Sequence, residues 1–413
     1  VARVNDRYSC RADSQHCKTA TAHATSLPEL RHDVTQAINY TDPDSYFGIP
    51  SEETVMRLIA SILCLGLMLP SALADDVTIK RVIGKEFPGE YKHPATITEL
   101  DNGDLYIAYY GGAGEYEGDT AVYGLRLPKG SSKWSTPEII ADTPNRSEGN
   151  GAIWQAPDGL VWLFYITNYG PTWSSARIKY KVSKDGANTW SDPYMLSFEQ
   201  GTMVRSAPIV LNDGNYLLPV YHETGEDREG TALDTCSYFM RYDPKTKEWT
   251  STNRIYSKEY SNLQIQPVQI DDKYLIAYAR RGGDFLPHPN GVAFRSESRD
   301  GGRTWSPAER SQFRNPNSAL DFIKLQNGHL LMVFNDNNNA ERMPLTIAIS
   351  TDNDKTWPYR RNIVNIAGDT AAYPVAIQSK DGRIHVVYTS KVRTQINHAV
   401  FEESAILNPV ETE

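Results

Sequence analysis

Cysteine is scarce in this 413-residue chain, with four residues in all. Cys10 and Cys17 lie in an N-terminal stretch without strand or helix periodicity, Cys64 lies in an apolar run discussed below, and only Cys236 falls in the body of the sequence. One cysteine excludes a disulfide framework and a cysteine metal site. Positive charge is also in short supply. Lys and Arg number 42 against 51 Asp and Glu, a net charge of −9 with no basic cluster, and this excludes a nucleic-acid binder. No apolar run outside that N-terminal segment reaches the ~18 residues that argue for a membrane span.

The one apolar run belongs to a pattern of its own. Met56-Arg57, the stretch from Leu58 to Leu69, a proline, and Ser71-Ala72-Leu73-Ala74 form a basic start, a short apolar middle and an Ala-x-Ala end. These are the parts of a secretory signal peptide. A signal works only at a chain start, so Met56 is read as the true beginning, residues 1–55 as a non-native, disordered upstream extension, and residues 56–74 as the signal. The mature protein, residues 75–413, is then expected to be secreted or periplasmic, with no membrane attachment after cleavage.

What the chain does have is a repeat. Ser298-Arg299-Asp300-Gly301-Gly302-Arg303-Thr304-Trp305 combines a tight turn with a strand restart on a large apolar anchor. Ser183 to Trp190 and Ser350 to Trp357 repeat it, and weaker relatives end at Trp134 and Trp249. The five Trp residues stand 56, 59, 56 and 52 positions apart, a period that means repeated supersecondary units. In phase with them run Asn102-Gly103, Asp158-Gly159, Asp213-Gly214, Asp271-Asp272, Asn327-Gly328 and Asp381-Gly382, each followed by a strand-like run. Asn-Gly and Asp-Gly between such runs are hairpin signals. Six hairpins, five of them paired with a Trp turn, predict an all-β fold, a six-bladed β-propeller. The last blade lacks a Trp turn, so its closing strand is expected from Gln395 to Phe401 or from an N-terminal strand near Val77–Val82. Each indole would bury ~150–250 Å², worth ~4–6 kcal/mol at ~25 cal/mol/Å².

In this topology the hairpin turns and the Trp turns share one face of the disc. The opposite face collects the starts of the inner strands and the longer connections. Aligning the blades on their hairpins puts His93-Pro94, Gln266-Pro267 and Tyr373-Pro374 in one register, with Asn150, Arg205 and Ser318 near the same level. A ring of polar groups around a central funnel is how a polar ligand site is built. Loops of that face add Glu115, Glu117 and Asp119 in a glycine-rich run, Tyr221-His222-Glu223, Arg280-Arg281 and Arg342. Arginines beside a carboxylate and a tyrosine point to an acidic oligosaccharide or polysaccharide, because a guanidinium fork grips a carboxylate bidentately. No residue spacing calls for a cofactor. The run Asn335-Asp336-Asn337-Asn338-Asn339 has oxygens for calcium but one carboxylate, and is read as a solvated loop.

The repeated Ser-x-Asp-x-Gly-x-Thr-Trp resembles the Asp-box of the sialidase (neuraminidase) superfamily, specifically the bacterial BNR-repeat sialidase-like proteins, over residues 79–403. The resemblance implies a glycoside hydrolase in which three arginines hold a substrate carboxylate, an Asp serves as acid/base, and a Tyr assisted by Glu is the nucleophile. Carried over by position, Asp119 is the acid/base, Arg280 and Arg342 the second and third arginines, and Tyr373 the nucleophile. Two positions depart from the family pattern. Tyr91-Lys92-His93-Pro94 stands where Arg-Ile-Pro is expected, and Gln266 stands nearest the Glu position. Lys92, Arg205, His222, Arg280 and Arg342 are therefore the expected substrate-binding set, with Asp119, Tyr373, Gln266 and His93 as catalytic candidates. The expected activity is release of sialic acid or, better suited to the altered cations, a uronic-acid-type sugar. A uronate lyase using His93 or His222 with Tyr373, and a non-catalytic carbohydrate-binding propeller, are the alternatives.

Overall fold

A computed structural model describes residues 77–408, and the expectations for residues 1–55 and 56–74 lie outside them. The chain opens with β1 (Thr78–Ile83), which the ring uses last. The first blade is β2 (Tyr91–Glu99), β3 (Leu105–Gly112), β4 (Ala121–Leu127) and β5 (Glu138–Ala141). The second is β6 (Glu148–Gln155), β7 (Val161–Asn168), β8 (Ala176–Ser183) and β9 (Tyr194–Met195). In the third, the inner strand is split into β10 (Thr202–Met203) and β11 (Ile209–Val210), ahead of β12 (Tyr216–His222), β13 (Cys236–Asp243) and β14 (Glu248–Ser251). Pro208 cannot donate to a ladder, which accounts for the break.

The fourth blade comprises β15 (Asn262–Gln269), β16 (Leu275–Arg281), β17 (Val292–Ser298) and β18 (Glu309–Arg314). The fifth comprises β19 (Asp321–Lys324), β20 (Leu330–Asn335), β21 (Leu345–Ser350) and β22 (Tyr359–Val364). The last is β23 (Ala371–Gln378), β24 (Ile384–Ser390) and β25 (Gln395–Phe401), with β1 pairing antiparallel to β25 as its fourth strand. Both expected closing segments are used, one as third strand and one as fourth. Contacts of β2 with β6 on one side and β23 on the other complete a six-bladed propeller.

Three Trp turns are built alike. In each, a serine hydroxyl donates to the first aspartate oxygen and a threonine hydroxyl to the second: Ser183 and Thr189 to Asp185 at 2.7 and 2.6 Å, Ser298 and Thr304 to Asp300 at 2.8 and 2.6 Å, Ser350 and Thr356 to Asp352 at 2.8 and 2.6 Å. The bonds from Thr356 are the main reason the Asp352 carboxyl is held down at about 2. Each Trp then reaches the preceding blade. Trp305 lies 4.3 Å from Phe239 of β13, Trp357 packs on Phe313 of β18 at 5.0 Å, and Trp249 packs on Phe164 of β7 at 6.1 Å. Even Trp134 meets the last blade, 5.7 Å from His398. The Trp repeat is therefore the seam between blades. The Asn335–Asn339 run departs from expectation: Asn335 and Asn337 are buried, and their amides donate to Pro344, Ala371, Glu341 and Met343 carbonyls. They pin loops together and are not a solvated surface.

Candidate functional site

The inner strands do not run straight to the upper face. β2, β6, β15 and β23 each lose register near the top, at His93/Ala95, Gly149/Ala152, Leu263/Gln266 and Ala372/Val375. Such bulges re-aim side chains. Asn150, Gln264 and Tyr373 occupy left-handed backbone there, at φ 38°, 55° and 54°, and Asn317, ahead of β19, does so at 60°. Each such residue costs ~1–3 kcal/mol and persists only where its surroundings over-determine it.

Tyr373 is the centre of the result. It is buried, and Arg280 Nη1 donates to its hydroxyl at 2.9 Å. The guanidinium carbons of Arg342, Arg280 and Arg205 lie 5.1, 5.7 and 5.7 Å from its ring centroid. Burial alone would push the phenol up, but Arg280, Arg342 and Arg393 outweigh it and bring it down to about 8. His93 stands edge-on to the ring at 4.1 Å between centroids. Its Nδ1 meets Thr389 Oγ1 at 3.1 Å, while its buried Nε2 has no partner. Burial, with four arginines adding to it, holds His93 neutral, well below the ordinary imidazole range.

The arginines differ in how far they are committed. Arg280 is fixed by Asn317 Oδ1 at 2.8 Å and Gln264 Oε1 at 3.2 Å. Arg393, from the β24–β25 turn, donates to Glu115 Oε2 at 2.6 Å and Tyr91 Oη at 2.9 Å. Among the described residues the Arg342 guanidinium has only the faces of Tyr373 and Phe285 against it, the latter at 5.5 Å. It is the cation left for a ligand.

Glu223 supplies a complementary group. Burial raises its carboxyl to about 7, offset in part by Arg280. With Tyr373, Gln264, Asn150 and Tyr221 it lines a slot of about 40 Å³. Phe285, Glu229 and Arg393 belong both to this slot and to a neighbouring cavity of about 670 Å³ that Arg342 and Met343 help to line. Arg280, Arg342 and Arg393 crowd the Tyr373 phenol, and a phenol pulled down beside a carboxyl pushed up is an arrangement suited to acid/base and nucleophilic work.

The structure thus brings Tyr373, Arg280, Arg342, Arg205 and His93 together and sets four expected residues elsewhere. Asp119 is exposed, and its carboxylate accepts from the Ala113 N–H at 3.1 Å, closing its own loop. Glu115 of that loop is the one that turns inward. Lys92 points to the opposite face from His93, as alternation along β2 requires, and its Nζ donates to the Gly89 carbonyl. His222 likewise faces away from its neighbours Tyr221 and Glu223, 3.6 Å from Glu199. Gln266 is buried opposite Tyr278 in β15 and lines neither cavity. The bulge between Leu263 and Gln266 displaces the alignment by two residues, so Gln264 takes the place expected of Gln266. Glu223, Glu115, Gln264 and Arg393 went unassigned from sequence. Glu223 and Glu115 had a signal, the first its place in Tyr221-His222-Glu223, where alternation pairs it with Tyr221, the second its place in the glycine-rich run of that face.

Comparison with known proteins places these features. Residues 103–386 match the BNR repeat-like domain family. A Hadza microbial sialidase is 17% identical, with 80% of this chain and 69% of that chain covered at a TM-score of 0.67. A protein of unknown function from Dyadobacter fermentans is 17% identical over 78% of this chain and 99% of that one, at a TM-score of 0.63. A leech intramolecular trans-sialidase is 13% identical over 88% and 74%, at 0.65. Identities this low speak to the fold alone. No curated protein matches the sequence.

Proposed function

We propose, because the chain belongs to the BNR repeat-like domain family, that it is a glycoside hydrolase of sialidase-like type that releases an acidic sugar from a glycan. The observation that carries this reading is the phenol of Tyr373, buried, ringed by arginines and lowered to about 8. In the first step the Tyr373 oxygen attacks the anomeric carbon while Glu223, protonated, gives its proton to the leaving oxygen. In the second, Glu223 as carboxylate takes a proton from water, the water oxygen replaces tyrosine on the sugar, and the phenolate is released. A tyrosine nucleophile is a known exception to the two-carboxylate rule. Gln264 beside Arg280 cannot accept the phenol's proton as a carboxylate would. The surrounding cations make such a base unnecessary, because they let the phenol ionise to solvent.

Arg342 is the group for the substrate carboxylate, with Arg280 behind it. Lys92 does not reach the site, and a sugar acid whose carboxylate needs two arginines rather than three suits it. We therefore favour a uronic-acid-type sugar over sialic acid, and a secreted or periplasmic protein acting on an acidic oligosaccharide. The test is a panel of chromogenic sialosides, uronides and neutral glycosides with the native protein and Tyr373→Phe. Acidic glycosides turned over by the first and not the second support the reading; equal rates overturn it.

A uronate lyase is the second reading, favoured by the unpartnered Nε2 of neutral His93 beside Tyr373. Its product carries a new double bond, so ultraviolet absorbance rising on a uronate polymer selects it over hydrolysis. Affinity for the same polymers without turnover of any kind selects a binding propeller.

A further inference from the structure

β23 is the innermost strand of its blade and pairs with β24 alone, so one of its hydrogen-bonding edges faces the axis without a strand partner. Buried backbone groups on such an edge need partners. Two are found, from two other blades. Arg205, in the bend that splits the third blade's inner strand, donates through Nη2 to the Pro374 carbonyl and through Nη1 to the Leu320 carbonyl at 3.2 Å. Asp321, first residue of β19 in the fifth blade, accepts the Ala376 N–H at 2.7 Å through Oδ2. Both side chains are 2% exposed. The two anchor points lie just after Tyr373, whose left-handed backbone must be held against relaxation.

Both groups carry more polarity than edge capping needs. Arg205 Nε and Asp321 Oδ1 are buried without partners, and no hydrogen bond joins the two side chains among the described residues. Burial raises the Asp321 carboxyl to about 6, with Arg205 opposing. The Arg205 guanidinium carbon lies 5.7 Å from the Tyr373 ring centroid, on a ring whose other charged neighbours are Arg280, Arg342, Arg393 and Glu115, with neutral His93 edge-on. A neutral side chain would cap the Pro374 carbonyl without placing a cation beneath the nucleophile.

We propose that Arg205 and Asp321 are positioning residues: together they clamp the backbone after Tyr373 from two other blades, and Arg205 adds a cation that keeps the phenol in its reactive form. Arg205 thus belongs to the floor of the site and does not touch substrate. The proposal rests on the reading of Tyr373 as the nucleophile, and its first test, a titration, needs no substrate.

The test is ultraviolet difference titration of phenolate between pH 6 and 11, with Tyr373→Phe subtracted so that one tyrosine of 24 is followed. In the native protein that tyrosine is expected to ionise near 8. Arg205→Met, similar in length but without charge or donors, is expected to raise the transition by about 1 unit, the low end of what removing an opposite charge does, because Arg280, Arg342 and Arg393 act on the phenol more strongly. Asp321→Asn keeps an acceptor for Ala376 and is expected to leave the transition within about half a unit, below that shift. Should Arg205→Met not fold, Arg205→Lys keeps the charge but loses the two-carbonyl grip and is expected to give a smaller upward shift with a lowered kcat and unchanged KM. A native transition near 8 that neither Arg205 variant moves overturns the clamp alone. A native protein with no tyrosine ionising near 8 overturns both the clamp and the nucleophile.

Discussion

Glu223 and Tyr373 make an unusual pair, since the acid must be protonated and the nucleophile ionised, yet the acid is the one with the lower value. With Glu223 at about 7 and Tyr373 at about 8, each group is about one quarter in its working form midway between, near pH 7.5. About one-twentieth of the enzyme is then competent at the optimum, and kcat/KM falls on both sides. Replacing Glu223 by Gln removes the acid and with it the need for one protonation state. On an aryl glycoside whose leaving group needs no proton, kcat/KM of Glu223→Gln and of the native enzyme alike is expected to rise with pH through about 8 and stay level, the alkaline decline being expected of the native enzyme only where the leaving group must be protonated. At pH 9 only about 1% of native Glu223 is still protonated, so on a leaving group that needs the acid native kcat/KM is expected to fall about tenfold per pH unit there. On an alkyl or sugar leaving group the same variant is expected to lose about 10²–10⁴-fold. A native profile that declines on the aryl substrate as on the alkyl one, or a Glu223→Gln variant that loses as little on the alkyl substrate as on the aryl one, refutes the assignment of the acid.

Other consequences follow from the same geometry. Arg342→Ala is expected to lower kcat/KM for an acidic aryl glycoside about 10- to 150-fold more than for a neutral one, the ~1.5–3 kcal/mol of a charged hydrogen bond, with both losing in common what the upward shift of the Tyr373 phenol costs; equal losses on both would remove Arg342 from carboxylate binding. Trp305→Ala, which empties a 5%-exposed site packed against Phe239, is expected to cost about 3–5 kcal/mol in denaturant melts. Glu223→Gln also has a stability signature. The folded carboxyl sits at about 7 against an ordinary 4.5, so the native protein pays nothing below pH 4.5, loses stability as pH rises from there to 7, and levels off above. The variant is expected to gain up to about 3 kcal/mol at pH 8 and nothing at pH 4, read from paired chemical melts.

The architecture was legible because its signals are local. Asp-Gly turns and Trp anchors each specify a hairpin, and their period counts the blades. Register at the axis was legible where proline marks a bulge: His93-Pro94 and Tyr373-Pro374 were placed at the same level and do meet, and Asn150 and Arg205, aligned on their hairpins alone, also reach it. Pro267 sits inside a regular ladder opposite Ala277, and the same rule misplaced Gln266. Alternation explains two more differences, since Lys92 and His222 are one residue away from His93 and from Tyr221 and Glu223. Sequence contains that parity but not its phase. Asp119 and Glu115 share a glycine-rich loop whose path no periodicity fixes, and Arg393 comes from a turn with no motif, held at φ 66°.

The central claim is that Tyr373 forms a bond to the sugar, and trapping tests it most directly. The native protein is incubated with a fluorinated uronosyl or sialosyl fluoride, which slows release of the intermediate, then digested and examined by mass spectrometry. The account predicts one added sugar on the peptide containing Tyr373, absent from Tyr373→Phe. A sugar found on Glu115, Glu223 or another side chain, or steady hydrolysis of acidic glycosides by Tyr373→Phe, would contradict it.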